Sequence, residues 1–207
     1  MKSFIEAMNF RHACKKFDPA RKIPEEEFQQ ILEFGRLSPS SFGMEHWRFK
    51  VIQTPEKRKA LREACWNQPQ VTEASHVVVI CAITKDVKPG QNYVEKIFAR
   101  RKLPPEATQA YLQRYAEFHK TEVEPYMSTY AWSAKQCYIA LANMMTGAAS
   151  LGIDSCPMEG TSKTEIEKVL ALDTEKYEEA VVVAFGYRAG EQTPRLRQDM
   201  DELVEYL

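Results

Sequence analysis

Arg11, His12, Lys15 and Lys16 fall within six positions of the stretch FRHACKKFD, and Arg195-x-Arg197 puts two more cations near the other end of the chain. Cations at this density suit an anion, a phosphate above all. Two arginines at i, i+2 on extended backbone point the same way and can fork one phosphate. Solvated surfaces also carry charge runs of this kind, and both readings stand at this point. The whole chain has a net charge of only −1. That speaks against a general nucleic-acid or acidic-membrane binder, which needs a basic excess.

Two further stretches have the composition of ligand-contacting loops. In DSCPMEGTS (154–162), Pro157 and Gly160 impose irregular backbone between an apolar helix and a second helix. Such a loop can aim N–H groups at a ligand, or simply connect two helices. SPSSFGMEHW (38–47) offers hydroxyls and a tight turn, for a polar ligand edge or for ending a helix. His46 reads as a packed loop residue and His76 as a hydrogen-bonded core histidine. Cys14 lies among cations that would lower its thiol pKa, which makes a nucleophile conceivable, but no Cys–His–Asx set can be assigned. The five cysteines are odd in number and scattered, with no C-x-x-C. A disulfide framework or a metal site is not expected, and a reducing cytoplasm fits. There is no G-x-G-x-x-G, Walker loop, H-E-x-x-H or G-x-S-x-G.

The elements that must position these residues follow from pattern. Ser3, with Glu6 three residues on, predicts a capping box opening a helix over Ser3–Asn9. Pro24 and the acidic run after it open a second helix, with Phe28, Ile31, Leu32 and Gly35 on one face. RFKVIQ reads as a short strand, and Thr54-Pro55 begins a helix ending near Cys65. Ser75–Thr84 is an apolar, β-branched run, a strand buried on both faces. Ala107, Tyr111, Tyr115 and Phe118 make a helical stripe inside a polar arm at about 86–128. WSAKQCYIALANMMTGAASL is apolar around most of its circumference, which suits a central or interface helix, and Gly152 is placed to end it. Ser162–Glu165 reads as another capping box, and Glu178–Arg188 as the second strong strand. The tail at about 190–207 carries Met200, Leu203, Val204 and Leu207, which need a surface to lie on. The 207 residues suit one domain. The charged start is no signal peptide and no apolar run reaches membrane-spanning length.

Taken in order, RHACKKFDP, GRLSPSSFGMEHWRF, ASHVVVICA, KQCYIALANMMTGAASLGIDSCPMEG, FGYR and TPRLR resemble the nitroreductase family of FMN-dependent NAD(P)H oxidoreductases, in particular the oxygen-insensitive bacterial type. The resemblance runs nearly end to end and is weakest in the arm. It implies an α+β fold, a mixed and mostly antiparallel sheet flanked by helices, in an intertwined homodimer wrapped by the tail.

The site residues are implied the same way. Arg11, His12, Arg195 and Arg197 would meet the FMN phosphate and ribityl chain, and Lys15 the N1/O2 edge. Pro39, Ser40, Ser41, Gly43 and Gln136 would reach the flavin from the partner subunit. Asn67 would face the pyrimidine. Pro157 and Met158 would back the ring, with the Glu159 and Gly160 amides at N5 and O4. Phe118 would lie over the substrate pocket. Ala13 replaces a frequent serine, Gly43 a frequent asparagine, Gln70 a frequent lysine, and EHW the usual Q-P-W. The implied reaction is ping-pong two-electron hydride transfer from NADPH or NADH to a nitroaromatic or quinone, with Lys15 and Glu159 tuning the cofactor and no side-chain acid required. Two other readings are a flavin or quinone reductase whose nitroreduction is incidental, and an FMN-binding protein without turnover. A third is a cofactor-free helical interaction module.

Overall fold

The two apolar runs form the centre of an antiparallel sheet. In the computed structural model, which describes residues 2–207, the sheet has four strands. They are β1 (Trp47–Val51), β2 (His76–Ile83), β3 (Asp154–Met158) and β4 (Tyr177–Gly186), in the order β1-β2-β4-β3. All three ladders are antiparallel. Parallel pairing is confined to an isolated bridge between Ala13 and Ser155. The inner strands are buried on both faces, so their β-branched runs have no polar alternation.

Nine α-helices surround the sheet among the described residues. They are α1 (Phe4–Phe10), α2 (Glu25–Arg36), α3 (Pro55–Ala64), α4 (Gln70–Glu73), α5 (Asn92–Ala99), α6 (Pro105–Phe118), α7 (Thr129–Ser150), α8 (Lys163–Leu170) and α9 (Met200–Leu203). One sheet face packs Val78, Ile80, Val181 and Val183 against α2 and α7. The other packs Val77, Val79, Cys81 and Val182 against Leu61 of α3 and Ile166 of α8. A third cluster joins Tyr111, Tyr115 and Phe118 of α6 to Met44, Val87 and Trp132. The stripe in the polar stretch is therefore the apolar side of a helix. No described helix is long and apolar enough to cross a membrane.

Local signals agree with much of this. Ser3 and Glu6 form the capping box, with Ser3 N donating to Glu6 Oε2 at 2.7 Å. Thr54 caps α3 and Pro55 stands in its first turn. Gly152, at φ +79°, follows α7, the left-handed geometry that ends a helix at little cost with glycine. Pro24 stands one residue earlier than expected, at the N-cap of α2.

Three expectations fail. The Ser162 hydroxyl makes no cap bond among the described residues. Its backbone N–H instead donates to Ala64 O at 2.7 Å, and Glu165 pairs with Lys168. Residues 154–158 are a strand rather than loop. Pairing with β4 supplies their backbone partners, and Pro157 is tolerated because β3 is an edge strand. Cys14 is no activated thiol. It is buried, and burial pushes its pKa up to about 11, outweighing the cations beside it in sequence.

Candidate cofactor site

The basic residues gather where α1 ends. The chain leaves α1 at Arg11 in extended backbone and runs beside β3, with Cys14 N donating to Ser155 O at 3.0 Å. Arg195 comes from the far end of the sequence and donates to Met8 O at 2.8 Å and to Arg11 O. These are carbonyls at the negative end of the helix dipole. Arg11, His12, Arg195 and Arg197 then share a cleft of about 370 Å³. Among the described residues its lining contains no carboxylate. Burial first, and then the Arg195 and Arg197 charges, lower the Arg11 pKa. His12 Nδ1 lies 3.6 Å from Asp154 Oδ1, and burial lowers the His12 pKa.

An ion pair between buried Asp154 and half-buried Arg188 holds this arrangement. Asp154, at the start of β3, is 3% exposed. Arg188 donates to it from its backbone N at 2.9 Å and its Nε at 2.8 Å. The Arg188 guanidinium lies 4.2 Å from the Phe10 ring centroid and reaches Phe10 O and Gln192 Oε1. One side chain thus ties β3, the end of α1 and the start of the tail together. Lys15 is exposed, at the rim of a smaller pocket with His12 and Arg188.

β3 runs from this anchor at Asp154 to Met158. Met158 is buried, and Glu159 accepts a hydrogen bond from the Tyr138 hydroxyl. Gly160 O accepts from Gln68 Nε2 at 3.0 Å. A Cβ on Gly160 would come within 2.8 Å of the Trp66 ring, so only glycine allows this approach. Trp66 and Asn67 both take left-handed backbone, at φ +52° and +57°, a strain that clusters at functional sites. Arg62 Nε anchors Asn67 O at 3.2 Å. Trp66 is 70% exposed. Sequence reasoning missed it, its one signal being a tryptophan beside Asn67. Gln70 is buried on α4, and its Oε1 has no partner among the described residues.

Ser40, Ser41, Gly43 and Gln136 form a second group. Ser41 N donates to Gln136 Oε1 at 3.0 Å, and Glu45 N to Ser40 Oγ at 2.9 Å. Pro39 precedes them, exposed. Phe42 is left-handed at φ +55°, and its ring lies 5.1 Å from that of Phe118. His46 is fully buried edge-on to Trp132, and burial pushes its pKa down to about 3. Gln136 and Tyr138 are two positions apart on α7, about 200° around the helix. Tyr138 meets the Glu159 turn and Gln136 meets Ser41, so the two groups lie on opposite sides of α7.

A cleft of guanidiniums near the start of an edge strand, and a glycine turn after its end, agree with the chain's likeness to known proteins. Residues 8–187 match the nitroreductase family. The chain belongs to that family. This nitroreductase-family chain is 41% identical to a Bacillus subtilis protein named putative NAD(P)H nitroreductase YfkO, over 98% of this chain and 96% of that one. It is 43% identical to a Staphylococcus epidermidis protein also named a putative NAD(P)H nitroreductase, over 99% and 97%. Among solved structures, a Staphylococcus epidermidis protein described as a putative NAD(P)H:FMN oxidoreductase superposes with a TM-score of 0.85 at 25% identity, covering 100% of this chain and 97% of that one. An Exiguobacterium sibiricum protein described as a putative nitroreductase in complex with FMN gives 0.84 at 23% identity, over 100% and 98%. The α+β nitroreductase fold expected from the sequence motifs is the one observed.

Proposed function

We propose that this chain is an FMN-dependent NAD(P)H oxidoreductase that reduces nitroaromatics or quinones by ping-pong two-electron transfer. The observation that carries the reading is the cleft shared by Arg11, Arg195 and Arg197, with no carboxylate in its lining among the described residues. Three guanidiniums in one cleft, with the Arg195 and Arg197 charges lowering the Arg11 pKa, are satisfied by a phosphate dianion, and these residues fit one. The glycine at 160 lets the turn pack against Trp66, and the turn's Glu159 and Gly160 amides would then meet the edge of a flat ring. FMN would supply the two-electron chemistry between NAD(P)H and the acceptor.

The protein binds, orients and tunes. Arg11, Arg195, Arg197 and His12 hold the phosphate end. Pro157 and Met158 back the ring, and the Glu159 and Gly160 amides donate to its edge. Asn67 and Gln70 would face the pyrimidine. Lys15 would hold a positive charge at the ring's edge, where it favours negative charge. Proton exchange with solvent suffices, so no triad is needed. Ser40, Ser41, Gly43 and Gln136, on the other side of α7, act on the site of a second copy, which makes the functional unit a homodimer. Phe118 covers the acceptor pocket.

The test is the visible spectrum of the purified protein before and after anaerobic NADPH or NADH. A yellow protein that bleaches and releases FMN supports the assignment. Replacing both Arg195 and Arg197 by Ala should weaken FMN at least tenfold, since a hydrogen bond to a charged group contributes about 1.5–3 kcal/mol. A protein that stays colourless with added FMN sinks the reading. One that stays yellow with both nucleotides is a flavin store. Preference for free FMN or quinones over a nitrofuran in steady state would make nitroreduction incidental.

A further inference from the structure

Glu179 is a glutamate in an apolar layer. The β2–β4 ladder shifts by one residue between Ile80 and Cys81, so that Cys81 pairs with Glu179 and Ala180 is bulged out. A bulge re-aims the residues beside it. Here it puts Glu179 on the side of Cys81, against the α3 and α8 layer, where Glu179 is 4% exposed. Its Oε1 is buried and has no partner among the described residues. Because β3 ends at Met158, opposite Val182, the Glu159–Gly160 turn leaves the sheet just before Glu179's level.

The groups around Glu179 come from every packed element. Lys163 at the start of α8, Glu167 further along it and Glu159 in the turn all act on its charge. Tyr130 and Tyr138 lie on the α7 side, Cys81 on β2 and Cys65 after α3. Tyr130 Oη donates to Glu179 O at 2.9 Å, and the Glu167 carboxylate accepts from Glu179 N at 3.4 Å. Lys163, the nearby cation, is already paired with Glu178. An ionised Glu179 would therefore add a third carboxylate facing Glu159 and Glu167 with no free counter-charge. We propose that Glu179 holds a proton beneath the Glu159–Gly160 turn, and that this proton keeps the turn closed on its ligand. Glu179 is then a positioning residue acting through Glu159, whose carboxylate stays on Tyr138 while Glu179 is neutral. Burial first pushes the Glu179 pKa up to about 7, with Glu167 and Glu159 adding to the rise against Lys163. Proton loss then falls near neutrality.

That the turn's ligand is FMN rests on the function proposed above. The test is FMN affinity, read by flavin fluorescence, for wild type and E179Q at about pH 6 and about pH 8.5. Coupling of binding to one proton weakens wild type roughly tenfold per pH unit above about 7, while E179Q, which mimics the neutral acid, stays flat. Equal slopes in the two proteins, or a flat wild type, overturn the proposal. A protein that binds no FMN at either pH overturns the cofactor assignment instead. Carboxyl ¹³C and Gly160 amide NMR on wild type then decides Glu179 alone. One glutamate titrating near neutrality, with the Gly160 amide moving at the same midpoint, supports it. Glutamates that all titrate in the ordinary acid range, or a Gly160 amide that does not move, overturn it.

Discussion

At the scale of single residues, charges here are decided by what surrounds them in space. Glu179 also sets a stability profile. Its folded pKa, about 7, lies above the ordinary 4.5, so its contribution is fully present below about pH 4.5 and is lost as pH rises through 7. E179Q should therefore gain on wild type by up to about 3 kcal/mol in urea unfolding at pH 8, and show little difference at pH 4. Arg188 acts in the opposite sense. Arg188→Met strips the charged partner from Asp154, which is 3% exposed. Removing one member of a buried pair costs about 3 kcal/mol. The urea midpoint should fall with m unchanged, and FMN should be held more weakly because the end of α1 and residue Gln192 lose their common anchor.

At the scale of elements, α2 and α7 cross closely because each offers a glycine to the other's large side chain. Met144 lies against Gly35, and Phe34 against Gly147. A Cβ at Gly147 would come within 2.1 Å of the Phe34 ring. Gly147→Ala therefore pits an overpacking cost of about 1–3 kcal/mol against a helix-propensity gain of about 1 kcal/mol. The packing term wins, because the clash reaches back to Phe34 Cγ at 2.6 Å, so rotating the ring in place does not relieve it. A lower melting temperature with unchanged helical circular dichroism is the expected result. A raised one would mean that the ring swings out freely.

At the scale of the molecule, the apolar surface is uneven. Phe4, Ile5 and Leu37 are more than half exposed beside a groove of about 370 Å³ that Phe34 and Gly147 help to line. Leu196, Met200 and Leu203 of the tail are as open. Contiguous apolar surface of this kind marks an interface, and with the two site groups split across α7 it fits a second copy of the chain. Sedimentation on dilution should show a dimer that loses FMN as it dissociates. FMN held tightly by a monomer would end the two-chain site.

Much was legible in the sequence because it is local. The Ser3–Glu6 cap, the Gly152 stop and the two β-branched runs each need only a few neighbours to act, and all appear as read. The order of the basic, proline–glycine and apolar stretches was enough to recognise the family. What stayed hidden depends on contacts between distant residues. Residues 154–158 look like loop until β4 supplies their hydrogen bonds. Cys14 sits among cations along the chain yet is buried, so desolvation rather than charge sets its thiol. Trp66 takes its meaning from Gly160, and Arg188 from Asp154. Glu178 and Glu179 read alike at the start of a strand, and a one-residue bulge turns Glu179 inward. Sequence determined which groups are present and which local structures they prefer. The tertiary structure decided which of those groups lose their water, because register and packing between distant segments set burial, and burial sets the cost of charge.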